Sequence, residues 1–245
     1  MAGSRRRRSG RRSGEAPSTA RAPAVRVKST GKHKPSSRQW LERQLNDPYV
    51  GEARRLGYRS RAAFKLQQLD DRFHVLCPGA RVVDLGSAPG GWAQVAVARV
   101  KAVEGEGRVV GIDLLAIDPI PGALLLRRDF LDLATPAALR EAIGGPADVV
   151  LSDMAAPTTG HAATDHRRVV ALAEAAYAFA REVLAPGGAF IAKVFQGGTE
   201  GELLAALKRD FASIRHAKPP ASRAESAEVY VVAQGFRGRN EPTPI

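Results

Sequence analysis

The stretch from Arg81 to Gln94, Arg-Val-Val-Asp-Leu-Gly-Ser-Ala-Pro-Gly-Gly-Trp-Ala-Gln, constrains the fold more than any other. Val82, Val83 and Leu85 make a short apolar run, Gly86 to Gly91 supply small residues, and Trp92-Ala-Gln-Val-Ala-Val-Ala opens a helical pattern. A strand, a tight turn and a helix start in that order make one unit of an open parallel sheet. Ligands of such sheets lie beyond the carboxyl ends of the strands, and glycines let the backbone approach them closely. Asp84 ends the predicted strand at that rim.

The same alternation runs through the chain. Strands are predicted at 81–85, 108–113, 123–127, 147–153, 188–195 and 211–217, with a last one opening at Glu228. Helices are predicted at 37–45, after an N-cap at Ser60, from the glycine turn to about Lys101, from Thr135, at 163–185 and at 201–209. In the longest of these, Val169, Leu172, Ala176, Phe179 and Val183 share a face, and Pro186-Gly-Gly stops it. Asn46-Asp-Pro marks a turn and 219–227 a mobile loop. The expectation is a doubly wound α/β fold, a mostly parallel seven-stranded sheet flanked by helices, with no internal repeats.

Glycine spacing separates the ligand classes. A dinucleotide fingerprint reads G-x-G-x-x-G, whereas Gly86, Gly90 and Gly91 read G-x-x-x-G-G behind an acid, which argues against a pyrophosphate cradle. The turn instead resembles motif I of the S-adenosylmethionine-dependent methyltransferases, though an ordinary strand-to-helix turn also favours glycine. Asp113 ends the second strand where α/β nucleotide binders place a carboxylate for ribose hydroxyls, and a helix cap or turn acid would read the same. Asp129 can accept from an adenine amino group or cap the helix from Thr135.

At 245 residues and 44% hydrophobic the chain can bury one sizeable core, and no run approaches the roughly 18 apolar residues that span a bilayer. The first 35 residues hold eleven Lys or Arg against one acid, Glu15, so most of the net charge of +12 lies there. With few large apolar residues this basic tail is expected to be disordered, either simply solvated or attracting phosphates through Arg5 to Arg8. No apolar run follows the arginines, so it does not read as a secretory signal; an organelle transit peptide is a minority reading. The expected organisation is this tail, a catalytic domain over 36–237 and a short C-terminal tail over 238–245. A single cysteine, Cys77, leaves no disulfide framework or cysteine-rich zinc site, and the expected home is cytoplasmic, with no membrane contact.

Four polar residues stand near strand mouths or on the helix entering the sheet: Lys65, Asp153, Lys193 and Glu228. Singly each has a bland reading, as surface lysine, N-cap, snorkelling lysine and edge-strand acid. Lys193, inside an apolar run, needs either an outlet to solvent or a carboxylate partner. Arg59, Arg61 and Lys65 form either a solvated basic face or phosphate contacts.

In that order around the glycine turn, the four match the Lys-Asp-Lys-Glu tetrad of ribose 2'-O-methyltransferases. Ser-Arg-Ala-Ala-Phe-Lys-Leu, Val-Asp-Leu-Gly-Ser-Ala-Pro-Gly-Gly-Trp, Ser-Asp-Met-Ala, Lys-Val-Phe-Gln-Gly and Glu-Val-Tyr-Val-Val-Ala together resemble the FtsJ/RrmJ family, in particular its bacterial branch acting on the large-subunit ribosomal RNA. The resemblance covers about 36–237. Ser87 departs from the family's more usual alanine, and Ala156-Pro157-Thr158-Thr159 and the basic tail also depart from it. The resemblance implies contact with S-adenosylmethionine by Gly90, Trp92, Asp113, Asp129 and Asp153. It also implies catalysis by Lys193 aided by Lys65, Asp153 and Glu228, with a uridine ribose of 23S ribosomal RNA, within the large subunit, as substrate. The same tetrad could serve a transfer RNA or a messenger RNA cap, and a non-catalytic RNA binder could keep the fold. Nothing reads as a dimerisation segment, so a monomer is expected.

The chemistry suits these residue types. A 2'-hydroxyl is a weak acid, so attack on a sulfonium methyl needs the proton removed and the reactants held in line. A lysine acts as base only if its pKa is lowered, which burial and a second lysine favour and the two carboxylates oppose. The carboxylates are therefore expected to orient Lys193 and temper its charge. No metal is expected, because the sulfonium already carries an activated leaving group.

Overall fold

The computed structural model describes residues 41–42, 44–196 and 201–238. The predicted tail over 1–35, all but Gly238 of the C-terminal tail and much of the predicted 37–45 helix lie outside these residues. The chain divides into two units, 1–47 and 48–245. In the first, Leu41, Glu42, Gln44 and Leu45 are helical and Asn46 forms a turn, its amide and its side-chain nitrogen both donating to the Glu42 carbonyl.

The second unit holds the sheet: β1 (Arg81–Leu85), β2 (Arg108–Asp113), β3 (Ala123–Arg127), β4 (Ala147–Ser152), β5 (Leu184–Phe195), β6 (Phe211–Ala217) and β7 (Glu228–Phe236). Its helices are α1 (Pro48–Leu56), α2 (Ala62–Phe73), α3 (Gly91–Val100), α4 (Thr135–Ile143), α5 (Ala162–Val183) and α6 (Glu202–Asp210). Strand order is β3-β2-β1-β4-β5-β7-β6, with the first five strands parallel and β7 antiparallel to both neighbours. The chain winds outward from β1 to β3, then returns to lay β4 on the other side of β1. That reversal opens a crevice at the carboxyl ends of β1 and β4, where ligands of such sheets bind.

Side-chain alternation along the strands divides the apolar residues between two cores. Val83, Leu85, Val110, Ile112, Val150 and Phe190 pack under α4, α5 and α6. Val82, Val109, Val149, Leu151, Ile191 and Tyr230 pack under α2 and α3. A parallel sheet covered on both faces explains why its central strands read as nearly continuous apolar runs.

Several boundaries differ from expectation. The turn at Asn46-Asp-Pro runs straight into α1, which the pattern did not predict, because proline's fixed φ and missing N–H suit a first helical turn. Ser60 is not the cap of α2: Arg61 holds that position without a side-chain cap, and Ala63 N–H bonds instead to the Ser60 carbonyl at 3.2 Å. The Ser60 hydroxyl is buried against Gly91, where an added Cβ would lie 2.5 Å from it, so the start of α3 packs directly on this turn. α5 ends at Val183, and β5 begins at Leu184 rather than 188. A shift in register against β4 between Ala147 and Val149 absorbs Pro186-Gly-Gly within the strand.

Candidate active site

Above the β1–β4 crevice lies a cavity of about 500 Å³, the size of a small-molecule site. Its walls include Ile112, Leu114, Phe130, Leu131, Met154 and Leu172, with Asp113 and Asp129 among its polar groups. Gly86 forms part of the floor with φ +79, and a Cβ there would sit 2.8 Å from the Met154 backbone, so no larger residue fits between β1 and β4. In the sequence, Met154 and Leu172 carry no functional signal by themselves, whereas Gly86 belongs to the glycine turn. Leu172, expected on the core face of α5, is half-buried at the cavity wall.

The loops at this rim are clamped by the acids expected there. Asp113 accepts from Ala88 N–H in the glycine turn at 3.0 Å and from Leu115 N–H at 2.9 Å, so it braces the turn rather than capping a helix. The Asp129 carboxylate takes the Leu131 amide at 2.9 Å, while its carbonyl accepts the Thr135 hydroxyl at 2.6 Å. Its carboxylate thus folds a local turn and does not cap α4.

Below them Asp84 is fully buried, and neither carboxylate oxygen has a hydrogen-bond partner among the described residues. Burial raises its pKa to about 7; nearby Ser87 opposes the shift, and the charges of Asp153 and Asp113 add to it.

Beside the cavity, the four predicted polar residues converge. Lys65 on α2 lies 3.1 Å from the Glu228 carboxylate at the start of β7. Lys193 on β5 lies 3.2 Å from the Asp153 carboxylate and donates to the Asp153 carbonyl at 2.7 Å. Sequence reasoning missed the residue that joins the two pairs. The Tyr230 hydroxyl donates to Asp153 at 2.9 Å and accepts from Lys65 at 3.2 Å, making one array of Glu228, Lys65, Tyr230, Asp153 and Lys193. The signal was available: Tyr230 is two residues beyond Glu228 on a strand, hence on the same face. It is also paired with Lys193 across β5 and β7.

Burial sets the charge states. The Tyr230 phenol is pushed well above its ordinary value by burial, with the Asp153 and Glu228 charges adding, so it remains a donor. Burial also acts to raise Glu228, but the Lys65 and Lys193 ammonium groups outweigh it and hold that carboxyl below its ordinary value. Both lysines are buried, and an ammonium is tolerated there because each has a carboxylate partner. Lys193 therefore does not snorkel to solvent.

Asp153 links array and cavity, since its backbone N–H bonds to the Leu85 carbonyl of β1 and the next residue, Met154, forms cavity wall. Gly90 and Trp92 lie at the start of α3. Gly90 caps α3 with φ +111, close to Ile120 and Arg59, and the Trp92 indole is buried, donating to the Ala62 carbonyl at 2.9 Å and packing on Tyr230. Neither is among the residues walling the cavity. Arg59 and Arg61 form no solvated face: Arg59 bonds to the Asp118 and Pro119 carbonyls at 2.6 and 2.8 Å, and Arg61 to the Ala221 carbonyl, tying down two loops. Among the described residues no cluster of His, Cys, Asp or Glu could hold a metal ion, and no helix is long and apolar enough to cross a membrane.

A seven-stranded sheet in this order, with its cavity over the β1–β4 reversal, is that of the Rossmann-like methyltransferases. Within that class the family follows from sequence: residues 58–236 match the FtsJ-like methyltransferases, and the chain belongs to that family. Its relatives include the ribosomal RNA large subunit methyltransferase E of Paramagnetospirillum magneticum, 62% identical over 98% of this chain and 100% of that protein. The protein of the same name from Parvibaculum lavamentivorans is 61% identical over 91% and 90% of the two chains. A solved ribosomal RNA methyltransferase from Plasmodium falciparum superposes with a TM-score of 0.66 at 30% identity, covering 74% of this chain and 100% of that one.

Proposed function

We propose that the chain transfers a methyl group from S-adenosylmethionine to the 2'-oxygen of a uridine ribose in the 23S ribosomal RNA of the large subunit, acting as a cytoplasmic monomer. The observation that carries this reading is the joining of Lys193, Asp153, Lys65 and Glu228 through Tyr230 beside a nucleoside-sized cavity. The names of relatives near 60% identity support ribosomal RNA as the substrate class.

The cavity fits the donor. Its apolar walls suit a flat adenine, Asp113 and Asp129 suit ribose hydroxyls and an adenine amine, and Gly86 leaves room where any Cβ would collide. When bound, S-adenosylmethionine supplies a methyl group on a sulfonium, an activated leaving group. Asp113 and Asp129 would hold its nucleoside, Asp153 would serve both cavity and array, and Gly90 and Trp92 would support the turn. Lys193 acts from its neutral amine form: it takes the proton of the 2'-hydroxyl at Nζ as the oxygen attacks, and the ammonium that results is the form its bonds to Asp153 hold. Its two bonds to Asp153 fix the direction of the amine, while Tyr230 donates to the same carboxylate oxygen, Oδ1, that faces Lys193. Lys65 and Glu228 complete the charge balance on the other flank. Holding the reactants in line can by itself supply roughly 7–11 kcal/mol.

Two measurements test this. Mapping 2'-O-methylation across ribosomal RNA from cells with and without the gene should show loss at one large-subunit uridine; loss confined to transfer RNA, or none, rejects the substrate. Lys193→Ala should keep S-adenosylmethionine binding in equilibrium dialysis and lose nearly all turnover, so undiminished turnover rejects the base.

A further inference from the structure

The proton acceptor and its carboxylates account for the ribose but leave the attached base without a seat. Phe195 is the last residue of β5, two beyond Lys193 and therefore on the same face of the strand. Across the sheet Lys193 pairs with Tyr230 and Phe195 with Glu228, so the phenyl group stands directly beside the reactive array. It is half-buried and belongs to neither hydrophobic core. Its ring partner is His166, near the start of α5, with ring centres 6.2 Å apart and planes inclined by 42°. His166 is also half-buried. Two half-buried rings set together at the mouth of a charged site offer a flat apolar surface to a ligand.

We propose that Phe195 and His166 form an aromatic platform on which the base of the target nucleotide stacks while its 2'-hydroxyl faces Lys193. This rests on the reading of the reaction given above. The ribose carries the 2'-oxygen and the base on adjacent carbons, so a hydroxyl brought to Lys193 necessarily brings the base alongside. Sequence-specific recognition of RNA splays a base out of its stack, and aromatic side chains replace the lost stacking. Because every base offers a flat π face, the platform fixes the position of the nucleotide and leaves its identity to other contacts.

The test uses the full-length enzyme with large ribosomal subunits purified from cells that lack the gene. Phe195→Leu should raise KM for subunits by roughly five- to a hundredfold, the range expected for losing one base–aromatic stack, with kcat little changed. Phe195→Tyr should restore the parent KM. His166→Ala should raise KM and His166→Phe restore it, and the double variant Phe195→Leu/His166→Ala should cost less than the product of the single effects, because both remove one platform. Thermal melting and S-adenosylmethionine affinity should match the parent in all variants. An unchanged KM in Phe195→Leu overturns the proposal. So does a fall in kcat at constant KM, or a loss of S-adenosylmethionine binding, either of which would make Phe195 a prop for the array. The position of the methyl group is read separately: a parent enzyme that methylates a base overturns the reading of the reaction, whereas the KM series decides the platform alone.

Discussion

Tyr230 shows how much one hydroxyl can carry. It is fully buried, its ring packs on Trp92, and its oxygen bonds both to Lys65 of the Lys65–Glu228 pair and to Asp153 of the Asp153–Lys193 pair. Tyr230→Phe keeps the ring and removes that link. Losing a buried hydrogen bond to charged groups costs about 1–3 kcal/mol, so turnover should fall by about tenfold or more in a single-turnover methylation assay while S-adenosylmethionine binding stays. Asp84 makes a prediction about pH. Its ordinary value is 3.8 and burial raises it to about 7, so between those limits the folded protein holds a proton that the unfolded chain has released. The contribution of Asp84 to stability is fully present below about pH 4, declines as pH rises toward about 7 and levels off above, a change of up to about 4 kcal/mol. Asp84→Asn should remove that part of the decline, seen by comparing urea unfolding of parent and variant at acid and neutral pH. The same slope in both would show that Asp84 is not the group responsible. Glu228 works in the opposite sense: its lowered pKa contributes stability that is present above its unfolded value and lost as pH falls through the folded one.

Among the elements, the β1–α3 unit sets the geometry of the crevice. Gly86 and Gly90 both have positive φ, and a Cβ on Gly86 would lie 2.8 Å from the Met154 backbone, so the turn cannot take a side chain there. Gly86→Ala should therefore destabilise the protein by about 1–3 kcal/mol and weaken S-adenosylmethionine binding more than RNA binding, measured by calorimetry and by filter binding. Equal weakening of both would point to general unfolding. The arginines preceding α2 act on the same neighbourhood, because Arg59 joins the loop after β2 to the mouth of the site and Arg61 ties down the loop before β7. Strand positions and central helices were readable because alternation and helical periodicity are local. β3 and β6 occupy the predicted residues, and β1 is read to the residue. The start of β5 was not readable, since a Pro-Gly-Gly that ordinarily stops a chain is here held within a strand by pairing with β4.

For the whole molecule, charge separates from chemistry. The net charge of +12 sits mostly in the first 35 residues, while the remainder is close to neutral. Removing 1–35 should leave S-adenosylmethionine binding intact and make RNA affinity less sensitive to salt, the log–log slope shrinking by about 0.7–0.9 for each phosphate that the tail had neutralised. An unchanged slope would show that the tail takes no part in RNA binding. What the sequence by itself determined is the order of the strands and of every helix but α1, and the glycine turn at the end of β1, signals that act over a few residues; Lys65, Asp153, Lys193 and Glu228 were singled out by a resemblance spread over the chain. Only the tertiary structure decided that Lys65 meets Glu228 across 163 positions, that Tyr230 bridges the two pairs and that Trp92 packs on Tyr230. It also decided that Asp84 is buried, which raises its pKa to about 7. The physical reason is that proximity between distant residues, and the burial that fixes their charge, exist only once the sheet has closed between its two layers of helices.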